Sequence, residues 1–235
     1  MKLKRPDCET CPVRTLSIFE CVDKVHLSEI SRTKGFSAYK KGEVIFREGQ
    51  PALGIYILHS GSVKITKTGV MGREQIVTFA KVGEIMGYQP MFLEEEYDIS
   101  AVTLESSTIC FIHRDKIFKL IEEDKDFAYK FIKTALETTK KVTEIVSSLS
   151  QKTVRSRVAE SILIINQEFG EDDNGFIQTS LSREDLSAMI GTSSESYIRT
   201  LKEFKDDGLI STKGKLIKIE KLGELTQIAE IYNYL

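Results

Sequence analysis

Four cysteines are the first residues whose chemistry asks for an explanation: Cys8 and Cys11, spaced C-x2-C, then Cys21 and Cys110. Four thiolates are the number that a tetrahedral zinc ion or an iron–sulfur cluster requires. Structural disulfides are rare in a reducing cytosol, so the thiols there are free or bound to a metal or cluster. Two of them also read as small hydrophobes, Cys21 within Ser17–Val22 and Cys110 in the apolar strand that opens Ser107–Ile117. His26, His59 and His113 are the only histidines, each alone in its neighbourhood, and read as surface residues. A second group lies near the C-terminus. Glu195 and Arg199 are four residues apart, with Ser193 and Ser194 just before them and Lys202, Lys213 and Lys215 after. A carboxylate can accept from cytosine N4, and a guanidinium can bind guanine O6 and N7 bidentately. Lysines and serines suit phosphates. The same Glu–Arg spacing also suits an ion pair along one helix face.

The elements around the second group predict how it is held. Ser182 with Asp185 three residues on forms a near capping box and opens a short helix that ends at Gly191. Ser193 or Ser194 caps a second helix, Glu195–Asp207, ended by Gly208. Leu186, Ile190, Ile198 and Leu201 are expected to make the apolar contact between the two helices. Ile210–Glu220 alternates around Lys213–Gly214–Lys215 and predicts a β-hairpin wing. Two helices joined by a short glycine-containing turn, followed by a wing, describe a winged helix-turn-helix that binds double-stranded DNA.

Upstream, the texture is different. Glu43–Phe46, Gly54–Leu58, Ser62–Thr66 and Gln75–Phe79 are short runs rich in Ile, Val, Phe and Tyr, separated by glycine turns. They predict many short antiparallel strands in a compact barrel or jelly roll. No Gly or Pro interrupts Arg114–Gln167, and Phe131, Ala135, Thr138, Val142, Ile145 and Leu149 recur at steps of four and three. That is the seam of a two-stranded coiled coil, which predicts a homodimer interface on one long helix. Composition sets the outer bounds. With 41% hydrophobic and 29% charged residues the chain is too apolar to be disordered. It has neither a membrane-span-length apolar run nor a secretory leader, so a cytoplasmic location is expected. Its net charge is −2, and the last 86 residues hold eleven Lys+Arg against fourteen Asp+Glu, so any DNA-binding face must concentrate its cations. No P-loop, G-x-S-x-G or HExxH occurs, and the chain does not read as an enzyme.

The order of parts resembles the Crp/Fnr family of bacterial regulators over about residues 15–225. The resemblance is carried by YKKGEVIFREGQPALGIYILHSGSVKI (Tyr39–Ile65), KVGEIMG (Lys81–Gly87) and LSREDLSAMIGTSSESYIRTLKEF (Leu181–Phe204). It implies an α+β chain: a cysteine-containing segment at 1–24, a cyclic-nucleotide-binding-like β-roll at 25–123, a dimerisation helix at 124–150 and a winged helix-turn-helix at 151–235. It also implies a homodimer on a palindromic operator, with Glu195 and Arg199 reading each half-site and RNA polymerase as a further partner. Relatives that bind cyclic AMP carry a glutamate soon after the GE-x-x-G turn and an Arg-Ser pair before the next strand. Here Tyr88 or Gln89 and Ile99–Ser100 stand there, so cyclic AMP is not expected. Fnr-like oxygen sensors hold a [4Fe–4S] cluster on three N-terminal cysteines and one distant cysteine, which maps it onto Cys8, Cys11, Cys21 and Cys110. Cys21 follows Cys11 by a wider gap than in those sensors. Three readings of the cysteines stay open: a cluster, a zinc or thiol redox switch, and inert thiols in a regulator answering an unidentified small molecule. A cyclic-nucleotide-type regulatory module without DNA binding is the remaining alternative.

Overall fold

The computed structural model describes residues 5–69, Gly72 and 74–230. The chain divides into two compact units, Met1–Arg73 with Val77–Lys141, and Val142–Leu235 with Glu74–Ile76.

The first unit begins with two 3-10 turns, Pro12–Leu16 and Ile18–Cys21, followed by α1 (Lys24–Thr33). Asp23 caps α1 by accepting from the backbone N–H groups of Val25 and His26. Eight strands follow: β1 (Gly35–Tyr39), β2 (Val44–Phe46), β3 (Gly54–Ser60), β4 (Val63–Thr68), β5 (Glu74–Ala80), β6 (Ile85–Met86), β7 (Ser100–Thr103) and β8 (Ser107–His113), with the short helix α2 (Gln89–Leu93) after β6. They form two four-stranded sheets, ordered β1-β8-β3-β6 and β2-β7-β4-β5. Alternation along the strands sends Ile55, Val63, Ile65, Ala101 and Ile109 into one shared core, the β-roll predicted from the glycine-punctuated runs. Gly83 shows why a turn here needs glycine. Its φ is +91° and a Cβ would sit 2.5 Å from the Leu16 carbonyl oxygen, so the loop before β6 closes tightly on the N-terminal turn. The cysteine-bearing segment is therefore part of this unit, with Ile18, Phe19 and Val22 in its core.

After β8 come α3 (Arg114–Glu123) and α4 (Lys125–Gln151). Asp124 separates them, its carboxylate accepting from the N–H groups of Asp126 and Phe127. The seam predicted on α4 is corrected at its first two positions, Phe131 and Ala135. Phe131 is buried against Tyr88 and Phe92, at ring separations of 5.5 and 5.3 Å, and Ala135 packs on the same core. Thr138, Ile145 and Leu149 are half-buried, and only Val142 of the six is exposed. The exposed stripe is instead Tyr129, Ile132, Leu136, Thr139, Thr143 and Val146, again at steps of three and four. A heptad-like helix with two such stripes offers both, and the phenylalanines fill the β-roll side.

The second unit holds α5 (Val154–Phe169), α6 (Arg183–Met189), α7 (Ser194–Asp206), the hairpin β9 (Ile210–Lys213) and β10 (Leu216–Ile219), and α8 (Leu222–Ile228). Val158, Ile162 and Ile165 of α5, at steps of four and three on one helix face, are fully buried, while Val154 is half-buried. Among the described residues no helix is long and apolar enough to cross a membrane.

Candidate nucleic-acid interface and cysteine cavity

α6 starts with a full capping box. The Asp185 N–H donates to Ser182 Oγ at 3.1 Å, and the Ser182 N–H donates to Asp185 Oδ2 at 2.9 Å. The chain then turns at Gly191, whose φ of +62° a side chain would strain. Ser193 caps α7, accepting from the Ser196 N–H at 3.2 Å. Ser194 is the first helical residue, and its hydroxyl lies 3.0 Å from that of Ser187, tying α7 to α6. Of the two serines predicted at the DNA, Ser193 is exposed and Ser194 half-buried.

α7 has two distinct faces. Tyr197, Thr200, Leu201 and Phe204 are buried, with Tyr197 Oη 3.3 Å from Ser161 Oγ on α5. Burial pushes the Tyr197 phenol up to about 12, which keeps it neutral. Arg155 of α5 seats the far end of α7: its guanidinium lies 4.7 Å from the Phe204 ring centroid and donates to Glu203 at 3.0 Å and Asp207 at 2.8 Å. The opposite face presents Glu195, Ile198, Arg199 and Lys202, all exposed. Ile198 is a second correction. It was expected between the helices, with Leu186, Ile190 and Leu201. Those three are buried while Ile198 is 51% exposed, because Tyr197 takes the inward position and the next residue points about 100° away. Glu195 and Arg199 form no ion pair with each other among the described residues, so both heads are free to meet a ligand. Lys213 and Lys215 are exposed at the tip of the hairpin, on either side of Gly214.

In the first unit, Cys8, Cys11 and Cys110 line one cavity of about 40 Å³ together with Arg14, Lys34 and His59. The sheet register explains Cys110, which lies on β8 between Phe36 of β1 and Ile57 of β3. Cys8 is held from α1, its N–H donating to Ser31 Oγ at 3.1 Å. Lys34, at the end of α1 and only 4% exposed, donates from Nζ to Cys8 Sγ at 3.0 Å. His59 Nδ1 is 3.2 Å from Thr108 Oγ1, while its Nε2 is buried without a partner. Burial, and then the Lys34 charge, hold the His59 imidazole below its ordinary value and hence neutral at pH 7. Burial pushes the Cys110 thiol up to about 11. Cys21 is not in this group: it is exposed, with Sγ 3.5 Å from the Ile18 carbonyl oxygen, and does not line the cavity. Burial and then Asp124 raise its thiol. The predicted four-cysteine set is thus three cysteines and one outlier. Among the described residues no group of three or more His, Cys, Asp or Glu side chains is arranged to hold a metal ion. Sequence reading missed Lys34 and His59, because neither belongs to a spacing motif. The other two histidines are also engaged, His26 with Asp23 and Glu123 at 2.6 and 2.9 Å, and His113 as the cap of α3.

Residues 36–124 match the cyclic nucleotide-binding domain family, and residues 156–228 match the Crp-like helix-turn-helix domain family. The chain is 27% identical to the transcriptional activator protein Anr of Pseudomonas aeruginosa, covering 95% of this chain and 91% of that protein. It is 24% identical to the fumarate and nitrate reduction regulatory protein of Escherichia coli, covering 94% and 90%. It is also 24% identical to a CRP-like cAMP-activated global transcriptional regulator of Mycobacterium tuberculosis, covering 90% and 96%. Among solved structures, FixK2 of Bradyrhizobium japonicum shares the fold with a TM-score of 0.75 at 22% identity, over 85% of this chain and 98% of that one. A Crp/Fnr-family regulator of Eubacterium rectale does so with a TM-score of 0.77 at 15% identity, over 91% and 98%.

Proposed function

The chain belongs to the Crp/Fnr family of DNA-binding transcriptional regulators, and from that premise we propose how its own residues read DNA and where its signal enters. The observation that carries the first part is the exposed face of α7. Its inward side is fully occupied, its N-terminal end is capped by a small serine, and Glu195, Arg199 and Lys202 stand free on the outer side. In this reading α7 enters the major groove, Arg199 takes a guanine, Glu195 accepts from a cytosine, and Ser193, Lys202, Lys213 and Lys215 hold phosphates. The half-buried Ser194 keeps the helix pair together. The active species is a homodimer on a palindromic operator in the cytoplasm, without catalytic activity and with RNA polymerase as its further partner. Its dimer seam is the exposed stripe Tyr129, Ile132, Leu136, Thr139, Thr143 and Val146 of α4.

The signal is placed at the cavity of Cys8, Cys11 and Cys110, and not inside the β-roll. In the roll, Phe46 stacks on Tyr97 at 4.3 Å and on Tyr56 at 5.2 Å, and Tyr88 is buried. Aromatic rings thus occupy interior space, and Ile99–Ser100 offer no guanidinium for a cyclic phosphate. A [4Fe–4S] cluster on all four cysteines does not fit the arrangement, since Cys21 lies apart and the Lys34 ammonium is engaged with Cys8. The cavity instead suits a signal that acts on its own thiols. Phe19 lines the cavity and its ring lies 5.4 Å from that of Phe127 on α4, so a rearrangement there reaches the long helix through packed side chains. A coupling of about 1–3 kcal/mol would change operator affinity roughly 5–150-fold. The test is anaerobic purification with iron, sulfide, zinc and free-thiol analysis, followed by operator titration of wild type, Cys8→Ser and Cys21→Ser. The expected result is that Cys8→Ser, which removes the half-buried cavity thiol beside Lys34, abolishes the response to thiol-directed treatment and Cys21→Ser does not. A brown protein with about four iron and four sulfide per chain, lost in Cys21→Ser, contradicts this placement.

A further inference from the structure

We propose that Ile198 is a base-reading residue that takes the 5-methyl group of a thymine in the major groove; this rests on the reading of α7 as the helix that enters that groove. The inward face of α7 is complete without it. Tyr197 and Phe204 are fully buried, Leu201 is 6% exposed, and the Thr200 hydroxyl is satisfied by the Ser196 carbonyl at 3.1 Å. Ile198 is left 51% exposed in the middle of the outer face. It follows Glu195 by three residues, immediately precedes Arg199, and stands one turn before Lys202. All four side chains therefore emerge on one side of the helix. A solvent-exposed β-branched residue adds nothing to helix propensity, so nothing in the free chain explains an isoleucine there.

The occupant follows from the chemistry of the groove. An isoleucine neither donates nor accepts a hydrogen bond, so it cannot read guanine, adenine or cytosine edges by pairing. Thymine alone presents an apolar group in the major groove, its C5-methyl. The position next to Arg199 puts that thymine beside the guanine assigned to the arginine. Ile198 thus supplies a preference for thymine over cytosine that neither Glu195 nor Arg199 can supply.

The experiment uses the full-length protein and an operator enriched from a random duplex pool. Each thymine of the enriched half-site is replaced singly by deoxyuridine, which removes only the methyl group. Burying one methyl predicts about a fourfold loss of wild-type affinity at one thymine per half-site, and about fifteenfold when both half-sites are changed. In Ile198→Ala the same replacement has no effect, and in Ile198→Val part of it remains. Equal sensitivity of wild type and Ile198→Ala overturns the proposal, as does an enriched half-site with no methyl-sensitive thymine. Arg199→Ala run in parallel separates the two levels. If Arg199→Ala keeps full sequence selection, α7 is not the reader and the underlying reading fails. If it loses selection while no thymine is methyl-sensitive, only the role of Ile198 fails.

Discussion

Around α7 every group proposed to meet DNA lies between Ser193 and Lys215, whereas the cavity of the first unit draws Cys8, Lys34, His59 and Cys110 from four separate segments. The contrast is one of range. Caps, turn and helix faces follow from neighbours in the chain, so the local rules of capping and periodicity apply almost unaided. The cavity exists only because the sheet order places β8 between β1 and β3 and because α1 ends in a buried lysine. Spacing has no access to that.

Breaking the local region should have the largest effect. Phe204→Ala removes a fully buried ring that also seats Arg155, and is expected to destabilise the second unit by about 3–5 kcal/mol. Calorimetry would show that transition lowered while the transition of the first unit stays in place. Ser182→Ala deletes half of a capping box and should cost about 0.5–2 kcal/mol, read as a lower urea midpoint with an unchanged slope.

The long-range region is tested by chemistry more than by stability. One equivalent of a maleimide should label exposed Cys21 first and leave operator binding unchanged, while buried Cys110 stays protected until the first unit opens. Early labelling of Cys110, traced by peptide mass, would mean that the cavity is open to solvent. The smallest effects concern pH at the packing of α1 on α3. Glu29 is held at about 2, below its ordinary value, first by the hydrogen bond from Lys116 and then by that from Lys119. Its contribution is present above about 4.5 and is lost as pH falls toward 2. His26 is raised, first by Glu123 and then by Asp23, so its contribution is present below about 6.5 and is lost as pH rises through the folded value. Glu29→Gln should flatten only the acid limb of stability against pH and His26→Gln only the other. Both effects should be small and salt-sensitive, because these pairs are open to water.

The parts legible in the sequence and those that were not divide along the same line. The helix-turn-helix, its caps, the wing and the β-roll were readable from glycines, small polar residues and alternation. The two corrections on helices, at Phe131 with Ala135 and at Ile198, came from periodicity without partners. On α4 both Phe131 and Ile132 fit steps of three and four, and only the β-roll beneath Phe131 decides which stripe is covered. On α7 Tyr197 and Ile198 are adjacent, and the hydroxyl of Ser161 favours the tyrosine as the inward residue. The wide gap after Cys11 already set Cys21 apart, but neither that gap nor a count of thiols says where the first 3-10 turns lead the chain, and the thiol ends exposed.

The most direct test of the account is the operator affinity of Arg199→Ala measured beside wild type at equal dimer concentration, with a scrambled duplex as reference. Losing one bidentate contact per half-site predicts a fall of about a hundredfold or more on the operator, little change on the scrambled duplex, and an intact dimer by sedimentation. An Arg199→Ala protein that still prefers its operator as strongly as wild type would contradict α7 as the reading helix.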